Sequence, residues 1–211
     1  MQTINEYFTA IQELGRDLFV SGLISSHGGN VSVYDKAAES IHITRSGSAL
    51  GRLRAGDLVS VGYPVPAADD QAVLAADKQA SMELIVHRAL YHKLSDVRAV
   101  VHTHSLYTTL LSLKQDFIEP LDSESKHFIP RVPVLDVEQT VASEEVAKLL
   151  PELIADSGCP VAVVRGHGPF AVGETLDDAW HWVSILEMSS KLIVEYSKTK
   201  VCCRSPLGYG S

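Results

Sequence analysis

Three histidines in the sequence have the residue type and spacing of metal ligands. His102 and His104 follow the apolar run at residues 99–101, which has the composition of a buried strand. Side chains at i and i+2 of a strand point to the same face, so these two imidazoles can converge on one ion. His167 follows a second apolar run and stands between two glycines. Three histidines with one position left open are the ligand pattern of catalytic zinc sites, whereas structural zinc sites are closed by four protein ligands.

Glu83 carries a carboxyl group that could act beside such a metal. The apolar side chains of residues 81–94 recur at helical spacing, and this pattern places Glu83 in the first turn of a predicted helix. A carboxylate at that position can simply stabilise the helix dipole. His87, four residues later, can form an ordinary structural pair with it. A catalytic role requires Glu83 to lie close to the metal, where it would act as a general base.

Two glycine-containing turns and one serine supply candidate donors for an anion. The first turn contains Gly29 and Asn30, the second contains Ser46 and Gly47, and Ser81 begins the predicted helix. Glycine lets backbone N–H groups approach a ligand closely, and asparagine and serine add side-chain donors. Together these groups could bind a phosphate, although either turn alone is more often a plain connection between strands.

Composition and charge narrow the classes of partner. The chain has 211 residues, of which 45% are hydrophobic and 21% charged, as expected for one soluble domain with a substantial core. Its formal net charge of −8 disfavours nucleic acid and anionic membranes as partners. No apolar run approaches the roughly 20 residues that span a bilayer. Three cysteines, two of them adjacent, suggest reduced thiols, and the N-terminus shows no secretory signal, so we expect a cytoplasmic protein.

The hydrophobic pattern predicts short strands interleaved with helices. Strands are predicted at residues 31–34, 40–44, 58–61, 99–101, 132–135, 161–164 and 170–172, and helices at 4–20, 81–94, 106–113, 143–154 and 175–196. Residues 119–130 are predicted to form an irregular connector and residues 197–211 a mobile tail. Strands in adjacent pairs favour an α/β protein with a largely antiparallel sheet, folded as a single domain over residues 1–211.

Taken in order, the motifs resemble the class II aldolase/adducin family. They are Gly28-Gly29-Asn30-Val31-Ser32, Ile43-Thr44-x-Ser46-Gly47, Ser81-x-Glu83-x-x-x-His87, His102-x-His104 and Gly166-His167-Gly168. As an ordered set they are far more specific than any one of them alone. The resemblance covers about residues 10–196. Within the family it is greatest to L-fuculose-1-phosphate aldolases, with L-ribulose-5-phosphate 4-epimerases as near relatives.

The resemblance implies a zinc-dependent lyase. It implies one Zn²⁺ per subunit, held by His102, His104 and His167. Glu83 would approach or ligate the metal and serve as the catalytic acid/base. The implied phosphate site comprises Gly29, Asn30, Ser46, Gly47 and Ser81. The implied reaction cleaves a ketose 1-phosphate, L-fuculose 1-phosphate or a relative, to dihydroxyacetone phosphate and a short aldehyde such as lactaldehyde. The implied fold is a three-layer α/β/α domain around a largely antiparallel sheet, assembled as a homotetramer with active sites between subunits.

Departures from the family pattern leave the substrate open. Met82 stands where fuculose aldolases often have a second serine, so one phosphate donor is missing. Residues 119–124 lack the tyrosine expected to act from a neighbouring subunit, and Asp122 is a candidate proton relay in its place. Tyr209, between glycines near the C-terminus, is a candidate catalytic tyrosine on a tail that closes over the site. The alternatives are a 4-epimerase, of which the histidine motif is equally typical, and a non-catalytic adducin-like interaction module.

Overall fold

Eight strands form the centre of the structure, a computed structural model that describes residues 3–64 and 71–202. The strands are β1 (Asn30–Asp35), β2 (Ser40–Thr44), β3 (Leu58–Gly62), β4 (Ala99–His102), β5 (Phe117–Ile118), β6 (Val132–Leu135), β7 (Val161–Val164) and β8 (Gly168–Gly173). The helices are α1 (Ile4–Val20), α2 (Gln71–Gln79), α3 (Leu84–Lys93), α4 (Leu106–Ser112), α5 (Ser123–Phe128), α6 (Glu144–Ser157) and α7 (Leu176–Cys202), with a 3₁₀ turn at Leu50–Arg52. None of these described helices is both long and apolar enough to cross a membrane.

The strands form one mixed sheet in the order β3-β2-β1-β4-β8-β7-β6-β5. Among the described strands, only the pair β6 and β7 is parallel, and the other neighbouring pairs are antiparallel. The prediction of a largely antiparallel sheet is therefore confirmed. The order places β4, which carries the first of the candidate metal ligands and leads directly to the second, between β1 and β8 in the interior of the sheet.

Helices cover the sheet on both faces. Successive side chains of a strand point to opposite faces. Ala99 and Val101 of β4 accordingly pack in the cluster that contains residues of α1 and α7, whereas Val100 packs in the cluster that contains residues of α3 and α6. Because both faces of β4 and β7 are buried, residues 99–101 and 161–164 are continuously apolar rather than alternating. The predicted three-layer α/β/α arrangement is confirmed.

Side-chain caps mark the first residues of helices α6 and α7. The Ser143 hydroxyl accepts a hydrogen bond from the backbone N–H of Val146 at 3.0 Å, which satisfies one free donor at the start of α6. Thr175 and Asp178 cap α7 reciprocally, since each side chain accepts from the other residue's backbone N–H, at 3.1 and 3.0 Å. Both predicted caps are confirmed.

The predicted helix over residues 81–94 begins three residues too early. The backbone N–H of Ser81 donates to the carbonyl of Thr44 at 3.0 Å, which ties this segment to the end of β2. Helix α3 therefore starts at Leu84, and Glu83 occupies the N-cap position without making a side-chain cap bond. The prediction that Glu83 lies within the first turn was wrong, and its carboxylate is free to face another part of the molecule.

Two further differences lie in segments where local signals are weak. The predicted irregular connector contains α5, a helix of six residues whose first N–H groups are capped by Asp122 through a 2.8 Å bond from the Ser125 N–H. Helix α7 continues through Cys202, so the predicted tail from residue 197 begins too early. Residues 203–211, including Tyr209, lie outside the described part of the chain.

Candidate active site

The end of β4 is the centre of the candidate site. His102 is the last residue of that strand and pairs across the sheet with Asn30 of β1 and Phe170 of β8. Its imidazole stacks on the Phe170 ring, with centroids 3.9 Å apart and an angle of 14° between the planes. His104 lies just beyond the strand, where its backbone N–H donates to the carbonyl of Leu23 at 3.1 Å. The backbone of His102 is thus held by pairing with two strands, and the backbone of His104 by the bond to Leu23.

His167 is brought to the same place by the tight turn between β7 and β8. Helix α4 holds this turn, because the backbone N–H of Gly166 donates to the Ser112 hydroxyl at 3.1 Å. The Arg165 guanidinium adds an ion pair with Asp116 at 2.6 Å. The turn is therefore held by residues outside the sheet. It places His167 beside His102, which is 65 residues away in sequence.

The three imidazoles converge through their Nε2 atoms. The Nε2 atom of His102 lies 3.1 Å from that of His104 and 3.3 Å from that of His167. Two nitrogens bound tetrahedrally to one zinc at about 2.1 Å would be about 3.4 Å apart. The Nδ1 of His102 donates to the carbonyl of Pro169 at 3.0 Å, which leaves its Nε2 lone pair directed at the other two rings. The spacing and the lone pairs fit a single divalent cation.

All three imidazoles are neutral at pH 7. Burial lowers the pKa of His102 well below the usual 6.5, and the neighbouring His167 and His104 lower it further. Burial, reinforced by His104, lowers the pKa of His167 to about 4. Burial also lowers the pKa of His104. Neutral imidazole is the form that coordinates metals, so these pKa shifts favour binding of an ion.

The Glu83 carboxylate lies at the edge of this histidine cluster. Its Oε1 is 4.0 Å from the Nε2 of His167 and accepts a hydrogen bond from the backbone N–H of Ala142 at 3.0 Å. Its Oε2 is buried and has no hydrogen-bond partner among the described residues. Burial raises the pKa of Glu83, and the Ala142 N–H partly opposes this effect. A buried carboxylate oxygen that has no partner among the described residues, beside three imidazole nitrogens, suits an adjacent cation and the transfer of a proton.

A cavity of about 120 Å³ opens beside the histidines and Glu83. It is also lined by every residue predicted to bind phosphate: Gly29, Asn30, Ser46, Gly47 and Ser81. Gly29 has φ +77°, and a Cβ there would lie 2.7 Å from the carbonyl oxygen of His102, so only glycine fits. Gly47 has φ +72°, which turns the chain after β2 around the cavity mouth. The structure therefore brings both turns together with the candidate metal ligands.

Further residues around the cavity were not singled out from the sequence. Arg45 and His27 belong to the two turns, and Arg45 is the only lysine or arginine among the described residues that line the cavity. Met82, already noted in the sequence for standing in place of a second serine, lies at the rim of the same cavity with 67% of its surface exposed. Turns have no periodicity from which the direction of a side chain can be read. The available signal for Arg45 was a basic residue within a glycine-containing turn of an acidic protein.

Neither candidate for a second proton-transfer group is among the described residues that line the cavity. Asp122 serves as the cap of α5 and does not line this cavity within its own chain. Tyr209 lies outside the described residues. His87 and Glu83, considered as a structural pair, do not join their side chains, because the His87 ring is hydrogen-bonded to Asn30 and Ser32 instead.

The sequence and the fold both match known proteins. The chain is 31% identical over 180 residues to the L-fuculose phosphate aldolase of Methanocaldococcus jannaschii, covering 84% of this chain and 90% of that protein. It is 30% identical over 188 residues to the methylthioribulose-1-phosphate dehydratase of Pseudomonas fluorescens, covering 84% and 86%. The crystal structure of L-fuculose-1-phosphate aldolase from Thermus thermophilus superposes with a TM-score of 0.79 at 33% identity, covering 96% of each chain.

The family assignment follows from these matches. Residues 9–194 match the family described as Class II Aldolase and Adducin N-terminal domain. That span contains all five motifs and every described residue of the cavity. The chain therefore belongs to the class II aldolase and adducin N-terminal domain family.

Proposed function

We propose that the protein is a zinc-dependent aldolase that cleaves a ketose 1-phosphate. The preferred candidate is L-fuculose 1-phosphate, giving dihydroxyacetone phosphate and lactaldehyde. The observation that carries the proposal is the open set of three imidazoles, with a buried Glu83 oxygen beside it that has no hydrogen-bond partner among the described residues. An adducin-like binding module would have no need of such a set.

His102, His104 and His167 would hold the zinc ion. When bound, zinc supplies a Lewis acid that stabilises the negative charge developing on the carbonyl oxygen as the C3–C4 bond breaks. The electron pair of that bond goes to C3, and Glu83 donates its proton there. The raised pKa of Glu83 suits this step, because it increases the fraction of the carboxyl that carries a proton. In the condensation direction the same carboxylate removes the proton from C3.

A second group must take the proton of the C4 hydroxyl as the aldehyde leaves. We propose Tyr209 for this role, acting from the C-terminal segment. As a phenolate, Tyr209 would accept this proton during cleavage, and as a phenol it would return the proton during condensation. Because the usual pKa of a phenol is about 10, a neighbouring positive charge must favour the phenolate.

We assign the substrate phosphate to the turns around Gly29, Asn30, Ser46 and Gly47, with Ser81 beside them. These groups offer backbone and side-chain donors, and Arg45, the only lysine or arginine among the described residues of the cavity lining, adds a positive charge. Losing one donor to an anion usually costs about 1.5–3 kcal/mol, so Asn30→Ala should raise KM by roughly one to two powers of ten. Equal turnover of the unphosphorylated sugar would contradict this assignment.

The decisive experiment is a product assay over a panel of sugar phosphates. The zinc-loaded protein should release dihydroxyacetone phosphate and an aldehyde from L-fuculose 1-phosphate. Methylthioribulose 1-phosphate belongs in the panel because one relative is named as its dehydratase. Loss of water without release of an aldehyde would contradict the aldolase assignment and support a dehydratase. Inversion of L-ribulose 5-phosphate at C4 would support an epimerase instead.

We propose a homotetramer in the cytoplasm as the working form. Apolar side chains of α4, α5 and α7 remain exposed in the single chain, among them Leu106, Phe128, Met188 and Leu192. Exposed apolar surface on neighbouring helices suits contact with other subunits. Sedimentation equilibrium of the zinc-loaded protein measures the assembly, and a monomer at micromolar concentration would contradict it.

A further inference from the structure

A series of buried hydrogen bonds lies behind Asn30, on the side away from the cavity. The Oδ1 of Asn30 is 2.6 Å from the Nε2 of His87, whose Nδ1 is 2.6 Å from the Ser32 hydroxyl. That hydroxyl is in turn 2.7 Å from the hydroxyl of Tyr91. Ser32, His87 and Tyr91 are buried, with exposures of 0%, 0% and 5%, and Asn30 is 6% exposed. Four polar side chains are thus joined end to end within the core.

Two regular elements produce this series. Asn30 and Ser32 stand two residues apart on β1 and therefore point to the same face of the sheet. His87 and Tyr91 stand four residues apart on α3 and therefore share one face of that helix. Strand and helix pack against each other, so the polar groups interlock in the order Tyr91, Ser32, His87, Asn30.

The chemistry of the groups gives the series one direction. An amide oxygen only accepts, so the Nε2 of His87 donates to Asn30. Burial lowers the pKa of His87 to about 3, so the ring is neutral and its other nitrogen must accept. The Ser32 hydroxyl donates to that nitrogen, and its oxygen accepts from Tyr91. The reverse orientation would turn the amide oxygen of Asn30 toward a cavity that already contains the Glu83 carboxylate.

We propose that His87, supported by Ser32 and Tyr91, is a positioning residue that holds the Asn30 amide with its NH₂ group toward the cavity. Asn30 then acts only as a donor, which suits an anion and excludes the rotated amide that would present an acceptor. The inference rests on the proposed binding of a phosphate in this cavity. It deepens that proposal, since it explains how a cavity with few positively charged groups selects an anion.

The first test measures the binding of inorganic phosphate to the zinc-loaded full chain by calorimetry. His87→Phe removes the donor to Asn30 and should weaken phosphate binding at least tenfold while the bound zinc stays unchanged. His87→Gln retains an N–H donor and should recover most of the affinity. His92→Gln is the matched control, because His92 is exposed on the same helix, and it should bind as the parent protein does.

The outcomes separate the inference from the proposed function. Equal phosphate affinity in the parent protein and His87→Phe would overturn the positioning role and leave the aldolase proposal intact. Absence of phosphate binding in the parent protein would contradict the phosphate site itself, and with it this inference. A change confined to the melting temperature, with unchanged phosphate affinity, would reduce the series to a structural role and overturn the proposal.

The second test needs neither phosphate nor the His87→Phe variant. ¹⁵N NMR of the histidine side chains distinguishes the two neutral tautomers, and the His87 signal is identified by its absence in His87→Gln. We expect the tautomer with the proton on Nε2. A proton on Nδ1 would require Asn30 to donate to His87, and this result would overturn the proposed orientation even if His87→Phe fails to fold.

Discussion

Replacing Glu83 by Gln should separate catalysis from stability. Gln keeps the size of the side chain and an oxygen that can accept from the Ala142 N–H, which now lies 3.0 Å from Oε1. It removes the group that carries the proton. It also replaces the buried Oε2, which has no partner among the described residues, by an uncharged amide nitrogen. We therefore expect a folded protein with little activity.

The magnitudes follow from these contacts. Removing a general acid/base typically lowers the rate by about 10²–10⁴-fold, which corresponds to about 3–5 kcal/mol of transition-state stabilisation. The melting temperature should stay equal or rise in metal-free protein, because a charged group whose burial raises its pKa has been replaced by a neutral one. Zinc content should remain near one per chain, since the three imidazoles are unchanged.

The assay combines the release of aldehyde with thermal unfolding and metal analysis. Glu138→Gln is the matched control, because Glu138 is exposed and does not line the cavity, yet its replacement removes the same single negative charge. It should leave the rate, the melting temperature and the metal content unchanged. A folded Glu83→Gln enzyme with a rate within threefold of the parent would refute the role of Glu83 as acid/base. It would return the residue to a purely structural position at the start of α3.

Further predictions concern the metal, the acid stability and the tail. His167→Ala should lose bound zinc and activity together, and full metal occupancy by elemental analysis would refute the three-histidine assignment. Because the pKa of His87 falls from 6.5 in the unfolded chain to about 3 in the fold, its contribution to stability is lost as the pH falls below 6.5. Between pH 7 and pH 5 this loss is about 2 kcal/mol, so urea unfolding of metal-free His87→Gln should depend less on pH than that of the parent. An equal loss in both would exclude His87 as its source. Truncation after Pro206, which removes Tyr209, should lower kcat with unchanged melting and zinc content, whereas an unchanged kcat would make the tail passive.

Local spacing in the sequence was sufficient for several features of the fold. The helix caps at Ser143 and Thr175 were predictable because a capping side chain bonds to a backbone group only three residues away. The strand ending at His102 was predictable from its continuous apolar run. Short elements were missed, since the six residues of α5 carry too little periodicity to distinguish a helix from a connector.

The residue types around the site were also recognisable from the sequence alone. His102, His104, His167 and Glu83 could be named because metal binding and proton transfer require particular groups, whatever fold holds them. Their mutual distances could not be derived in this way. The 3.3 Å between the Nε2 atoms of His102 and His167 depends on the pairing of β4 with β8 and on the turn that α4 holds.

The amino-acid sequence thus defines the available chemistry, together with the local elements whose bonds span a few residues. The packing of helices on the sheet selects which of these groups meet and which way they point. The Ser81 N–H is bonded to the carbonyl of Thr44 at the end of β2, so α3 starts only at Leu84. Glu83 therefore faces His167 rather than His87. His87 turned to Asn30, 57 residues away, because α3 packs against β1. Such contacts join groups far apart in the chain, so they exist only after the burial of apolar surface has brought the helices onto the sheet.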